Sequence, residues 1–393
     1  MSRAGGLGAA CLANAVLLGG AYLSLPPFFA EIASTEGWSI QQLQRAWAFV
    51  PLGSGAVALM AGIALRRLHD RVVIALSGGT ATLGVVLRSI VERPEAFAWS
   101  LLLFGLGAGA LLVALTTRVA RLYETEGAGL AQAAFFGAYT IGSALGLATA
   151  ELLAEQLGGW RAVAGFWATA SAIALVPTLF MTLPPGTNDE GDTPNRRGTK
   201  WRKRISGYAL VYAAYVGGYL GIAGLLPYQL RQWGWEPKLA DAALASSTLG
   251  FLVGAFFLAA VTDRWGHRRQ VFTGCMIAAA ALTGIFPAAA RASSMVWAGG
   301  TIAAVGFFCG ALSLFFPIVL QDPETGGPEG SRSVGLTTAA SYLGGFLVPF
   351  AFAPFTAERP ALVIGGYAVI FAISGIAMAF VRPDGVGPPT TPS

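Results

Sequence analysis

Residues 263–269 read Asp-Arg-Trp-Gly-His-Arg-Arg, a charged stretch between two long apolar runs, Ala240–Thr262 and Val271–Ala290. An apolar run of about 18 or more residues predicts a membrane-spanning helix. A charge cluster between two such runs is therefore expected to be a tight turn at one membrane surface. The remaining spans can be counted and oriented outward from this turn.

The composition excludes a single soluble globule. The chain has 393 residues, of which 55% are hydrophobic and 11% charged, and its mean hydropathy is +0.62. Soluble domains carry about 25% charged residues. The net charge of +5 does not indicate nucleic-acid binding, because the basic residues lie in short loops between spans. The three cysteines lie inside apolar runs, and their spacing predicts neither a disulfide nor a metal site.

Twelve apolar runs are long enough to cross a membrane as helices, the form that satisfies its own backbone hydrogen bonds in lipid. They are Gly6–Phe29, Gln42–Leu65, Val72–Ile90, Phe97–Thr117, Ala128–Ala150, Trp160–Leu183, Ile205–Leu230, Ala240–Thr262, Val271–Ala290, Met295–Leu320, Val334–Pro354 and Ala361–Val381. We therefore predict an all-α membrane protein with twelve transmembrane helices in two pseudo-symmetric six-helix bundles.

A polar segment divides the spans six and six. It predicts an N-terminal bundle of residues 1–183, a cytoplasmic linker of residues 184–204 and a C-terminal bundle of residues 205–393. An internal repeat supports this division, because several residues of the first half coincide with those of the second after a shift of 197 positions. These pairs are Gly37 with Gly234, Trp38 with Trp235, Gly53 with Gly250, Arg67 with Arg264 and Arg71 with Arg268. Parallel six-span repeats occur in secondary transporters.

The distribution of Lys and Arg predicts the topology. Most of the 25 basic residues fall on one side when the N-terminus is placed inside, so both termini are expected to be cytoplasmic in a multi-pass protein of the cell (inner) membrane. The basic run Arg202–Arg204 is expected to anchor the linker beside acidic lipid headgroups.

The opening turn resembles the motif G-x-x-x-D-R-x-G-R-R of the major facilitator superfamily. The second half has Ala259 at the first Gly, and the first half has Arg66 in place of the acid. The resemblance implies that the acid holds neighbouring helix ends together in one conformation, so this latch is complete only in the second half. Its expected members are Gly62, Arg67, Arg71, Asp263, Arg264, Gly266 and Arg268.

A narrower similarity is to the cyanate/nitroimidazole permease branch of that family. It rests on the basic turn after the second span, on Leu87-Arg88-Ser89, and on Gly158-Gly159-Trp160-Arg161. The first span lacks the arginine that this branch usually has, so the anion-binding role of that residue is not transferred.

Four tyrosines of the seventh span, Tyr208, Tyr212, Tyr215 and Tyr219, lie on one helical face. The family resemblance implies that spans 1, 4, 7 and 10 line a central cavity, which favours substrate contact for Tyr212, Tyr215 and Tyr219. The alternative is packing against another helix, and this alternative suits Tyr208 better. The other candidate substrate-binding residues are polar or aromatic residues of other spans. They are Asn14, Tyr22, Arg45, Gln132, Tyr139, Phe308 and Tyr342, each of which is also a plausible packing residue.

Two arginines lie inside spans, Arg45 and Arg88. An intramembrane charge is a functional hypothesis, although both residues are within snorkelling reach of the outer surface. Arg45 follows Gln41, Gln42 and Gln44, which form a polar outer mouth where an arginine could bind an anion. No Asp or Glu falls at mid-depth, which weighs against a pump for cationic drugs.

The sequence contains no catalytic constellation and no nucleotide-binding segment, so we expect no enzyme activity and no cofactor or metal. We expect a monomeric secondary transporter that takes up a small polar or anionic organic solute by alternating access, in contact with membrane lipid and not with nucleic acid, with a proton as candidate coupling ion. The alternatives are proton-coupled efflux of drugs or metabolites and a non-transporting membrane sensor. We further expect that neutralising Asp263 impairs transport more than neutralising Asp70.

Overall fold

The computed structural model describes residues 2–65, 67–123, 127–181, 199–235, 237–291, 295–352, 355 and 359–381. Twelve helices in these ranges are long and apolar enough to span a membrane, as the sequence predicts. The six of the first half are α1 (Arg3–Phe28), α2 (Ile40–Ala64), α3 (Asp70–Ile90), α4 (Pro94–Leu122), α5 (Ala128–Leu157) and α6 (Trp160–Leu179).

The second half repeats this arrangement. Its helices are α7 (Thr199–Gln232), α8 (Pro237–Trp265), α9 (Arg268–Arg291), α10 (Met295–Cys309 and Leu312–Gln321), α11 (Gly330–Phe352) and α12 (Pro360–Phe380). The described part of the chain contains no β-strand.

Helix α1 is irregular, whereas its counterpart α7 is continuous. A π-helical segment, Asn14–Gly20, and a short helix, Ala21–Leu23, precede a 3-10 turn at Pro26–Phe28 and an outer helix, Phe29–Glu36. Pro26 and the proline that follows have no N–H, so two carbonyls of the preceding turn lose their helical donors. The proline pair therefore accounts for the break near the outer end of α1.

In each half, a glycine brings one pair of helices into close contact, and the two pairs are equivalent in the repeat. A Cβ at Gly142 of α5 would overlap the backbone of Ala15 in α1, and a Cβ at Gly344 of α11 would overlap the backbone of Ala213 in α7. Small residues allow helix backbones to approach in this way within membranes. The same packing in both halves gives physical support to the internal repeat.

The beginning of α7 differs from the sequence expectation. The predicted linker extends to residue 204, but α7 begins at Thr199, so Arg202–Arg204 lie in its first turns. Ion pairing of Arg204 with a buried carboxylate provides the physical reason. Residues 184–198 of the predicted linker lie outside the described ranges.

Candidate functional site

The two halves are joined at the face where α6 ends and α7 begins, which we call the linker side. Asp263, at the end of α8, accepts hydrogen bonds from the backbone N–H groups of Gly129 (3.2 Å) and Leu130 (3.0 Å) in the first turn of α5. Its carboxylate is also 2.6 Å from Nη2 of Arg268. A helix N-terminus carries partial positive charge, so Asp263 binds the first half electrostatically.

Helices α2 and α11 form a second contact between the halves on this side. A Cβ at Gly62 would lie 2.5 Å from the carbonyl oxygen of Ser331 and 3.1 Å from Cα of Gly335. Arg121 of α4 donates to Oγ of the same Ser331 at 3.2 Å. Close packing and a polar contact therefore hold the halves together beside Asp263.

The remaining residues of the expected latch have different environments. Gly266 adopts a left-handed conformation with φ of 71°, which explains a glycine in the tight turn between α8 and α9. The side chains of Arg67, Arg71 and Arg264 are exposed. Arg66, which replaces the acid of the motif, lies outside the described residues.

Each half has its own ion cluster on the linker side, and sequence reasoning did not identify either one. In the first half, Asp70 begins α3 and lies 3.5 Å from Arg118 and 3.7 Å from Arg121, both near the end of α4. Arg118 also donates to the backbone carbonyl of Met181, just beyond α6. We call these four residues the N-cluster; it joins the ends of α3, α4 and α6.

In the second half, Asp322 directly follows α10 and is fully buried. Its Oδ2 accepts hydrogen bonds from Arg204 (3.0 Å), Tyr208 (2.8 Å) and Arg269 (2.8 Å). Arg269 also donates to the carbonyl of Val381, just beyond α12, at 2.6 Å. We call these five residues the C-cluster. The sequence contained two signals for this cluster. Asp322 directly follows the tenth span, and Arg269 lies at the start of the ninth.

Asp322 lies just outside the membrane span, and its environment favours the charged form. Burial alone would raise its pKa, but hydrogen bonds from the backbone N–H of Glu324 and from the Tyr208, Arg269 and Arg204 side chains outweigh this effect. The pKa of Asp322 is therefore below its usual value.

Four partly exposed tyrosines meet between the halves, and we call them the tyrosine quartet. Tyr22 of α1 and Tyr139 of α5 come from the first half, and Tyr219 of α7 and Tyr342 of α11 come from the second. Tyr139 lies within electrostatic range of each of the other three. Tyr22 and Tyr219 are separated by the 197 positions of the internal repeat. The quartet thus takes one tyrosine from each helix of two equivalent pairs, α1 with α7 and α5 with α11.

Aromatic rings support the quartet on both sides. Tyr22 stacks on Trp47 of α2 with a centroid distance of 4.2 Å and an interplanar angle of 2°. Tyr219 stacks on Tyr215 at 6.2 Å and 6°. Trp47 is partly exposed and was not a sequence candidate. Its position in an apolar span beside Tyr22 became evident only from the packing of α1 on α2.

Most other candidates lie within the helix packing. Tyr212 is buried against Phe315, and Tyr215 donates to the carbonyl of Cys309 at the break in α10. Asn14 donates to the carbonyl of Phe135 at 2.7 Å, and Gln132 donates to the carbonyl of Thr116 at 3.2 Å. Phe308 is partly exposed and packs edge-on against Phe307 at 5.4 Å. The Arg45 side chain lies outside the described part of the chain.

Arg88 does not extend to the surface. Only 2% of the residue is exposed, and Nη2 donates to the carbonyl of Ala21, at the break in α1, at 2.9 Å. Arg88 therefore contacts the backbone of α1 next to Tyr22.

Sequence comparison agrees with this architecture. A profile of the major facilitator superfamily matches residues 10–349. The chain belongs to this superfamily. An uncharacterized MFS-type transporter, YbcL of Bacillus subtilis, is 30% identical over 194 residues, or 48% of each chain. The cyanate transport protein CynX of Escherichia coli is 20% identical over 257 residues, which is 65% of this chain and 66% of the relative. These matches span about half and about two thirds of the relatives.

Solved structures of the superfamily share the fold. The E. coli fucose:proton symporter FucP (N162A) has a TM-score of 0.76 at 14% identity, with coverage of 97% of this chain and all of that one (100%). The proton:xylose symporter XylE, bound to 6-bromo-6-deoxy-D-glucose, has a TM-score of 0.78 at 13% identity and covers 97% and 96%. These identities establish the fold of a twelve-helix transporter.

Proposed function

We propose that this protein is a secondary transporter that moves a small polar or anionic organic solute across the cell membrane by alternating access of its two halves. The observation that carries the proposal is the tyrosine quartet, in which each half contributes two partly exposed phenols to one central surface. A solute bound there contacts both halves, so their relative motion changes its access. Transporters of this kind bind substrate at the interface between repeats.

The linker side is proposed to be cytoplasmic, with both termini inside. Exposed basic side chains on this side, including Arg67, Arg71 and Arg264, support this orientation under the positive-inside rule. The contacts of Asp263 and Gly62 then close the cytoplasmic side. The conformation would then be outward-facing.

The chemistry of the quartet supports the solute class. A neutral phenol donates one hydrogen bond, and its ring offers an apolar face. Four such donors at one surface suit a compact solute that is rich in acceptors. The relative named as a cyanate transport protein supports the same class.

Proton-coupled efflux of drugs or metabolites is the second candidate. The fucose:proton and proton:xylose symporters of the same fold support a proton as coupling ion. Efflux of cationic drugs has less support. Within the described residues, the partly exposed side chains that define the central site are phenols and aromatic rings, and none of them is a carboxylate.

Uptake of labelled cyanate into proteoliposomes tests the proposal. Tyr22→Phe and Tyr219→Phe each remove one donor and keep the ring, and each is expected to lower kcat/KM about tenfold, since a hydrogen bond to a charged group contributes about 1.5–3 kcal/mol. Tyr123→Phe, near the end of α4 on the linker side, is the matched control and should be unchanged. Unchanged uptake in both quartet variants would refute a binding role for the quartet.

A further inference from the structure

Arg88 is a buried cation with no counter-ion in the part of the chain that the structure describes. Its Nη2 has the Ala21 carbonyl as acceptor, its Nε is buried without an acceptor, and no described carboxylate forms an ion pair with it. The other two buried arginines of the described ranges are paired differently. Arg118 lies 3.5 Å from Asp70, and Arg204 lies 3.0 Å from Asp322.

Burying a charge is costly unless it is paired, so an uncompensated guanidinium needs an explanation. One part of the explanation is local. The double proline after Leu25 leaves carbonyls of α1 without helical donors, and the C-terminal end of a helix carries partial negative charge. Arg88 donates to the carbonyl of Ala21, which directly precedes the two residues, Tyr22 and Leu23, whose carbonyls lose their donors. A neutral donor would do the same at lower cost, so capping alone does not account for a full charge.

The position of Arg88 relative to the tyrosine quartet supplies the second part. The carbonyl that it contacts belongs to the peptide group between Ala21 and Tyr22. The charge therefore lies directly against the backbone of the helix that carries Tyr22, and a charge in a low-dielectric region is weakly screened. In the second half the corresponding residue is Ile285, which is 57% exposed, so the charge acts from one side only.

We propose that Arg88 makes the central site selective for monovalent anions by placing a positive charge behind Tyr22 without touching the solute. The inference rests on the proposed function and narrows its polar or anionic solute to an anion of single charge. One uncompensated cation balances one negative charge, while the neutral phenols of the quartet supply hydrogen bonds. Arg88 is thus a positioning residue for α1 and the source of the charge selectivity.

Two substitutions distinguish the effect of the Arg88 charge from its hydrogen bond to the Ala21 carbonyl. Arg88→Lys keeps the charge, and Arg88→Gln keeps a donor for the Ala21 carbonyl and removes the charge. A residue that only caps the helix break would be replaced equally well by either. Arg161→Gln is the matched control, because Arg161 lies near the same outer end of the bundle but is paired with Glu36 at 2.9 Å.

The experiment titrates the purified full-length protein with cyanate, formate and neutral formamide at constant ionic strength, and tryptophan fluorescence reports binding through Trp47, which stacks on Tyr22. Arg88→Gln is expected to raise the Kd for cyanate and formate about tenfold or more, whereas Arg88→Lys and Arg161→Gln stay within about threefold of wild type. Formamide affinity should not change. Equal anion affinity of the Gln and Lys variants would overturn the inference.

The wild-type protein provides a test that does not depend on the folding of a variant. It is expected to bind formate about tenfold or more tightly than formamide, which has the same shape and no charge. Equal binding of the two would overturn the role of Arg88 and leave transport of a polar solute standing. Binding of none of the three probes, together with no uptake of cyanate, would instead refute the proposed function for this class of solute.

Discussion

The two linker-side clusters have the same construction with opposite charges. In the N-cluster, the acid Asp70 begins α3 and the arginine Arg118 is near the end of α4. In the C-cluster, the arginine Arg269 begins α9 and the acid Asp322 follows α10. In both, the arginine donates to the carbonyl that ends the last helix of its half. The same three helix ends are therefore tied together twice, with the roles of acid and base exchanged.

This exchange shows that the repeat preserves the geometry of the ion pair and not the sign of each charge. The Coulomb attraction within an ion pair does not change when its two charges are swapped. A shift of 197 positions places Arg66 opposite Asp263 and Asp70 opposite His267, so the two ion pairs do not coincide in the sequence repeat. The repeat keeps the geometry of the three helix ends, and the sign of each charge is free to change.

The clusters also differ in burial and reach. The Asp322 side chain is fully buried, whereas that of Asp70 is 9% exposed. The C-cluster adds Arg204 and Tyr208 from its own half. The N-cluster instead contains Arg121, which donates to Ser331 of the other half. We infer that the C-cluster mainly stabilises its bundle, and that the N-cluster is also connected to closure.

The largest effect is expected for Asp322→Asn. It leaves Arg204 and Arg269 without their carboxylate, and breaking a buried pair costs about 3–5 kcal/mol. Asp70→Asn should cost less, because its ion pairs are longer and slightly exposed. Thermal unfolding of the purified variants in detergent measures both. A larger loss for Asp70→Asn would contradict the ranking.

Lowering the pH should weaken the C-cluster in a defined window. The pKa of Asp322 is depressed in the folded state, so its stabilising contribution is full above the unfolded value of about 3.8 and is lost as the pH falls through the folded value. Thermal stability should therefore fall more steeply between about pH 5 and pH 3 in wild type than in Asp322→Asn. Parallel curves would show that ionisation of Asp322 does not stabilise the C-cluster.

A charge exchange within the N-cluster tests whether geometry or sign matters. Asp70→Arg alone places two cations together, and Arg118→Asp alone pairs two acids. The double variant restores a pair with the polarity of the C-cluster, and we expect it to recover about 1–2 kcal/mol relative to the sum of the single losses. Additive losses in this double-mutant cycle would mean that the sign is fixed by other contacts.

Asp263→Asn should affect transport more than stability. Its carboxylate contacts the other half through Gly129 and Leu130, so neutralisation weakens closure rather than a bundle. We expect the uptake rate to fall several-fold, with a loss of stability of about 1 kcal/mol, as for exposed or partly exposed pairs. Asp70→Asn should instead reduce stability more than transport. Equal transport defects would contradict a special role for Asp263.

The smallest effect is expected for Arg264→Gln. The side chain is exposed, so its loss should change stability by less than about 0.5 kcal/mol and leave uptake unchanged. A marked defect would show that Arg264 has a partner in another conformation of the transport cycle.

The fold followed from the sequence because span length and charge asymmetry are local properties. Twelve runs of sufficient length, and a basic turn at residues 263–269, required no knowledge of side-chain contacts. The break in α1 at Pro26 and the π-helical segment before it were not predicted.

The site followed only in part, because its members come together through tertiary packing. Helical spacing identified the face that carries Tyr219, but it could not separate this partly exposed ring from the buried Tyr212, which lies about two turns away on the same face. Trp47 and Asp322 were missed for the same reason. An aromatic residue in an apolar span and an acid at a span end become informative only when the neighbouring helix is known.

We propose that a small anion crosses the membrane through the interface of the two halves. Counterflow tests it most directly, with labelled cyanate added outside proteoliposomes that are preloaded with excess unlabelled cyanate. We predict a transient accumulation of label above its equilibrium level, reduced about tenfold in rate by Tyr219→Phe, for the loss of one hydrogen bond to the anion. Label that equilibrates without overshoot, at the rate of protein-free liposomes, would rule out transport of cyanate by this protein.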